Sequence, residues 1–212
     1  MTQDFVHLRM HTEFSIKDGM LNPKKVVHKA IASGMKALAI TDATAMFGDV
    51  IFYKAASAAG IKPILGADCS ITNHYNRDDY LRLLFLARNH QGYLTLCDLL
   101  SRAWLTNQYK DRGEVDLDWI TPEMADGLIV LSGFNTGAIG KAILNGSSSA
   151  AEQEARRLSQ KFPHFFMELQ RVGRPNDEML VAESVKLAKK LGLPVVATQP
   201  IQFENPEDFE FH

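Results

Sequence analysis

The chain has 212 residues, 46% of them hydrophobic and 23% charged, with a net charge of -2 and a pI near 6.4. That is the make-up of a globular protein with a substantial core, and it lacks the basic excess of a protein that grips duplex DNA. No apolar run approaches the ~20 residues that a membrane-spanning helix needs, and Asp4 and Arg9 interrupt any leader-like start, so a cytoplasmic location is expected. The two cysteines, Cys69 and Cys97, form no CxxC pair and read as structural thiols in a reducing compartment.

The first predicted strand covers residues 6–11. It carries His7 and His11 and leads into a loop with Asp18 and Gly19. Imidazoles at a strand end with a carboxylate on the next loop form the usual start of a metal cup. Arg9 breaks that pattern, because it shares the face of His11 and a guanidinium cannot ligate a cation.

A helix is predicted over 22–33, with Asn22 as its N-cap, Pro23 at the first helical position and Val26, Val27, Ala30 and Ile31 on its apolar face. Residues 37–42, ALAITD, read as a buried parallel strand. A helix over 48–59 follows, then strands over 61–71 and 80–87. The helix over 89–105 offers Leu94, Leu96, Leu99, Leu100 and Trp104 to a core, and residues 109–118 are irregular.

A short helix starts at Thr121, with a strand over 127–131, helices over 136–144 and 150–162, and a strand over 164–170. A helix over 175–191 and a strand over 193–198 complete the series, and the tail ENPEDFEFH begins another helix. Seven apolar strands alternating mostly with helices predict an α/β fold with a parallel sheet in one domain over 1–212. Polar residues recur just after strands, at His11, Asp18, Asp42, Asp68, Gln199 and Gln202, which suits a barrel with its site at the C-terminal face. Neither GxGxxG nor GxxxxGK[ST] is present.

Six strings, in order, carry a family resemblance: FVHLRMHTEFSIKDG, GMKALAITDATAMFGDVIFYKAASAAGIKPILGAD, LARNHQGYLTL, GLIVLSG, FFMELQRVGRPNDE and LGLPVVATQPIQF. Together they resemble the polymerase-and-histidinol-phosphatase (PHP) domains that open the alpha subunits of bacterial replicative DNA polymerase III. The resemblance spans nearly the whole chain. It implies a distorted seven-stranded β/α barrel of TIM-like kind, and a chain that is a fragment of a much longer polymerase.

Active members of the superfamily hold a trinuclear metal site and hydrolyse phosphoesters. Position by position, the resemblance implies a loss of that site. The family's His-x-His reads Arg9 and His11, and the loop acid survives as Asp18. Thr-Asp-His reads Thr41-Asp42-Ala43, Gly-x-Glu reads Gly66-Ala67-Asp68, and the histidine opening the next strand aligns with Arg82. The ligand after GLIVLSG aligns near Phe134, and the closing Asn-Asp-x-His reads Gln199-Pro200-Ile201-Gln202.

With Arg9 and Arg82 directed at the former cation positions, no metal or other cofactor is expected. Ion pairs to Asp18, Asp42 or Asp68 are expected in its place. The resemblance implies a catalytically inactive structural and docking domain that binds the proofreading exonuclease (epsilon) subunit and supports the rest of the polymerase chain and holoenzyme. It implies no direct DNA contact. The alternative is an active metal-dependent phosphoesterase or 3′–5′ exonuclease with Glu13 or Glu168 as replacement ligands. Outside this set, Glu168 also reads as a strand residue with a structural hydrogen bond. His28, His74, His90 and His164 stand at no ligand spacing, and Arg156-Arg157 with Glu152 and Glu154 reads as a mixed-charge exposed helix face.

Overall fold

The computed structural model describes residues 5–205, 208 and 210. Its centre is a curled six-stranded sheet of β1 (Ala37–Ala43), β2 (Lys62–Ile71), β3 (Leu81–Ala87), β6 (Leu128–Leu131), β7 (Phe165–Leu169) and β8 (Val195–Ala197), side by side in that order. The helices are α1 (Pro23–Ala32), α2 (Asp49–Ala58), α3 (His90–Thr106), α4 (Pro122–Asp126), α5 (Ala138–Leu144), α6 (Ser148–Lys161) and α7 (Asp177–Leu191).

Local chemistry sets the helix starts. The Asn22 side chain accepts from the Lys24 and Lys25 amides, Asn89 from Gly92, and Thr121 from Met124, each filling donors that a first turn leaves open.

Two features depart from the expected pattern. The segment over 6–11 is an extended stretch, not a regular strand, with one bridge at Met10. It closes the barrel: the Ala39 and Thr41 amides donate to the His7 and Met10 carbonyls on one side, and on the other His11 N–H donates to the Ile201 carbonyl at 2.9 Å. Second, β3 runs antiparallel to both β2 and β6, while the other pairings in the sheet are parallel. Residues 72–80 join β2 to β3 with no helix between them, and a short direct connection returns the chain in the opposite direction.

The irregular stretch after α3 holds a small hairpin of β4 (Gln108–Tyr109) and β5 (Arg112–Gly113). The helix start expected in the tail falls largely outside the described residues. Among the described residues no helix is long and apolar enough to cross a membrane.

Strand alternation sorts the side chains. On the outer face Leu38 and Ile40 pack with Val26, Val27 and Phe52 of α1 and α2. Phe85, Val130 and Met167 pack with Leu96, Leu99, Leu158 and Ala188 of α3, α6 and α7. Two positions expected in the core face water: Ile31 and Leu94 are 46% and 45% exposed. On the inner face Ala39, Ile64, Leu84, Leu86, Leu131, Phe166 and Val196 converge into one apolar plug. Two residues further toward the barrel mouth the same face carries Arg82, Glu168 and Thr198, and four residues beyond Ile64 it carries Asp68.

Candidate functional site

The mouth of the barrel is a buried ionic cluster. Arg9 is its hub, 5% exposed. Its Nε and Nη2 donate to the two oxygens of Glu168 at 2.9 and 3.0 Å, a bidentate fork. Its Nη1 pairs with Asp68 Oδ2. His11 lies beside it on the same extended segment, with Nδ1 at 3.0 Å from Asp18 and Nε2 at 3.1 Å from Asp68. Arg82, from β3, places Nη2 at 3.4 Å from Asp68 and Nη1 at 4.0 Å from Asp18.

Glu168 is held from three further directions. It accepts from the Gly133 amide at 3.0 Å, from Gln170 Nε2 at 3.0 Å and from the Thr198 hydroxyl. Gly133 sits at φ 79, and a Cβ there would stand 2.2 Å from the Arg82 carbonyl oxygen, so the turn that aims this amide requires glycine. Arg174 extends the network, donating to Gln170 Oε1 at 3.0 Å.

The electrostatics follow from the geometry. Burial alone would raise the Asp68 pKa, but Arg82, Arg9 and His11 together hold it well below the usual carboxylate range. Glu168 is likewise lowered against the effect of its burial, chiefly by Arg9. For His11, burial works against the charged form, yet hydrogen bonds to Asp18 and Asp68 outweigh it and raise the pKa. With both ring nitrogens at carboxylate oxygens, only the imidazolium donates to both. Three cations, Arg9, Arg82 and protonated His11, then balance three carboxylates, Asp18, Asp68 and Glu168.

The donor set does not suit a cation. Arg9 stands between Asp68 and Glu168, and His11 has both nitrogens engaged. One carboxylate oxygen of the cluster, Asp68 Oδ1, is buried without a partner among the described residues, and one open oxygen is a single ligand.

The remaining expected positions fall out as follows. Ala43 lines a cleft of about 540 Å³ at the mouth, beside Asp18 and Arg82. Phe134 is buried in a 3-10 turn two residues after β6 and brings no ligand atom to the mouth. Pro200 and Gln202 flank the bridge residue Ile201, and the Gln202 carbonyl accepts from the Met20 amide.

Asp42 is a correction, since it pairs with neither arginine. By strand parity it shares the outer face of Leu38 and Ile40, and its carboxylate accepts from Thr12 N–H and the Thr12 and Ser15 hydroxyls at 2.6–3.0 Å. It therefore tethers the loop that carries Asp18. Glu168 is the partner that sequence spacing underweights. The available signal was Gln170 two residues on, which places both on one strand face. His74 also belongs to a group that spacing does not reveal: its ligand atom and those of Asp116 and Asp118 lie within 4.8 Å of one another near the surface.

Comparison with known proteins agrees with this architecture. A family model described as "PHP domain" matches residues 7–172. The chain is 42% identical over 213 residues, its full length, to DNA polymerase III subunit alpha of Pseudomonas aeruginosa. It is 46% identical over 214 residues to that of Neisseria meningitidis and 41% identical over 209 residues to that of Escherichia coli, each covering 98% of the chain. It spans 18% of the length of each of these relatives.

Among solved structures, an amidohydrolase from Chromobacterium violaceum aligns with TM-score 0.65 at 14% identity, over 93% of this chain and 87% of that one. A Bacteroides vulgatus two-domain protein containing a PHP-like phosphoesterase aligns with TM-score 0.54 at 14% identity, over 93% of this chain and 51% of that one. These two likenesses speak to the fold alone. The inner-face ionic cluster thus sits at the mouth of a known barrel type, and the chain belongs to the PHP domain family, homologous along its whole length to the alpha subunit of bacterial DNA polymerase III.

Proposed function

We propose that this chain is one PHP domain of a replicative DNA polymerase, located in the cytoplasm, that has exchanged a metal site for a structural one. It is catalytically inactive, supports the polymerase chain and docks the proofreading exonuclease (epsilon) subunit. The former metal positions are Arg9, His11, Asp18, Ala43, Asp68, Arg82, Phe134, Pro200 and Gln202.

The observation that carries this reading is the fork from Arg9 to Glu168 and its pair with Asp68, together with His11 and Arg82. Protein cations stand where metal ions would need to bind, and their charges are already balanced. A hydrolytic metal centre works by lowering the pKa of a bound water and neutralising the transition state, and it needs several open ligand lone pairs where this cluster offers one, on Asp68 Oδ1.

Two assays on the full-length chain test the reading. Turnover of a phosphomonoester and of a DNA 3′ end, with and without added Mn²⁺ or Zn²⁺, should be flat in each case once the polymerase active site is inactivated. Metal-stimulated turnover abolished by Asp68→Asn would instead establish the phosphoesterase reading. Pull-down of the purified exonuclease subunit should succeed with the full chain and fail when residues 1–212 are deleted.

A further inference from the structure

The helical layer has a gap. The other steps between neighbouring strands of the main sheet carry at least one helix, but β2 passes to β3 through residues 72–80 alone. Between α2 and α3 this leaves a cleft of about 450 Å³. Pro63 and Leu65 of β2 line it, with Val50 and Tyr53 of α2 and Tyr93 of α3. Val50 and Tyr53 are more than half exposed.

Asp49, in the first turn of α2, also lines this cleft. It is 1% exposed, and both of its carboxylate oxygens lack a hydrogen-bond partner among the described residues. Buried polar groups almost always have partners, so an orphaned carboxyl at a cleft wall calls for an explanation. Burial, with a contribution from Asp42, pushes its pKa up to about 8. Asp42 cannot relieve it, because Thr12 and Ser15 already occupy that carboxylate. The cationic side chains that line the cleft, Lys54 and His90, are exposed and form no ion pair with Asp49.

We propose that this cleft receives one arginine, set between apolar residues, from a segment of a partner protein. Two open oxygens on one carboxyl match the planar fork of a guanidinium, which a single ammonium would not fill. Tyr53 and Tyr93, the latter stacked on His90, line the cleft with aromatic surface for the same group, and Val50 and Leu65 offer apolar surface to its flanking residues. The oxygens are out of reach of water in the free chain, so entry requires side-chain movement at the cleft. The cleft is on the outer face of the barrel, and its lining shares no residue with the ionic cluster at the mouth.

The test uses the full-length chain and two labelled heptapeptide amides. One has a central arginine between leucines, and in its twin citrulline replaces the arginine. Fluorescence anisotropy should show the arginine peptide binding about tenfold or more tightly than the twin, as one charge-assisted hydrogen-bonding group implies. Asp49→Asn, which keeps side-chain size, should erase the difference while leaving the circular dichroism spectrum unchanged. Equal binding of both peptides, binding of neither, or a preference that survives in Asp49→Asn would overturn the proposal. If benzamidine binds and neither peptide does, the cleft is a small-molecule site and the proposal fails.

Discussion

The inner face of the barrel has two halves built on the same strands. In the lower half Ile64, Leu84, Leu131, Phe166 and Val196 make an apolar plug. Two residues along each of three strands, and four along β2, the upper half holds Arg82, Glu168, Thr198 and Asp68, joined there by Arg9 and His11. The plug gains stability from each methylene removed from water and tolerates changes that conserve volume. The ionic half gains little as a whole over an apolar replacement, yet it fails badly when one partner is removed. The two halves therefore respond differently to substitution, although the same strands build both.

The largest expected effect is at the hub. Arg9→Met should lower stability in urea by about 3–5 kcal/mol, because it strands the Asp68 and Glu168 charges. Leu84→Ala in the lower half should cost about 2–5 kcal/mol through its cavity alone. The two halves separate in a double-mutant cycle. Arg9→Met with Glu168→Leu should be less destabilised than the sum of the single variants by ~0.5–3 kcal/mol, whereas Arg9→Met with Leu144→Ala, in the last turn of α5, should be additive.

The pH dependence comes next in size. Asp18, Asp68 and Glu168 have lowered folded pKa values, so their contribution is present above the unfolded carboxylate pKa of about 4 and is lost as pH falls through the folded values. His11 has a raised folded pKa, so its contribution is complete below about pH 6.5 and fades as pH rises through the folded value. Asp49, raised to about 8, destabilises progressively between about pH 4 and 8 as the unfolded chain releases a proton that the folded chain keeps. Urea titrations at pH 6 and pH 9 should therefore show wild type losing stability with rising pH. His11→Gln should remove its own share of that loss, and Asp49→Asn should be the more stable protein at pH 9.

The smallest effect is at the surface. Arg156 pairs with Glu152 at 2.8 Å one turn away on α6, with both side chains reaching water. Arg156→Ala should change stability by no more than ~0.5 kcal/mol, and 0.5 M salt should abolish the difference.

Much of this arrangement was legible from local signals. Asn22, Asn89 and Thr121 announce their helices, and six of the seven apolar runs locate the strands of the main sheet within a few residues, while the run over 6–11 is an extended segment. The antiparallel β3 was hidden because its signal is the lack of a helix across residues 72–80, which apolar periodicity does not register.

The site was half legible. Arg9 and Arg82 stand out because no guanidinium belongs in a cation cup. The identity of their partners depends on which residues share the inner face after the sheet curls. Glu168 lies 159 residues from Arg9 and meets it only through that curvature. Asp42 lies one residue from the inward-facing Thr41 and is thereby excluded, since a single step along a strand moves a side chain to the other face.

The central claim is that protein cations, and not metal ions, occupy the barrel mouth. Elemental analysis of the full-length chain, purified without chelator and with Asp68→Asn alongside, tests it most directly. The account predicts that the two proteins carry the same transition-metal content, below one ion per chain. Two or more ions per chain in wild type, lost in Asp68→Asn, would contradict it.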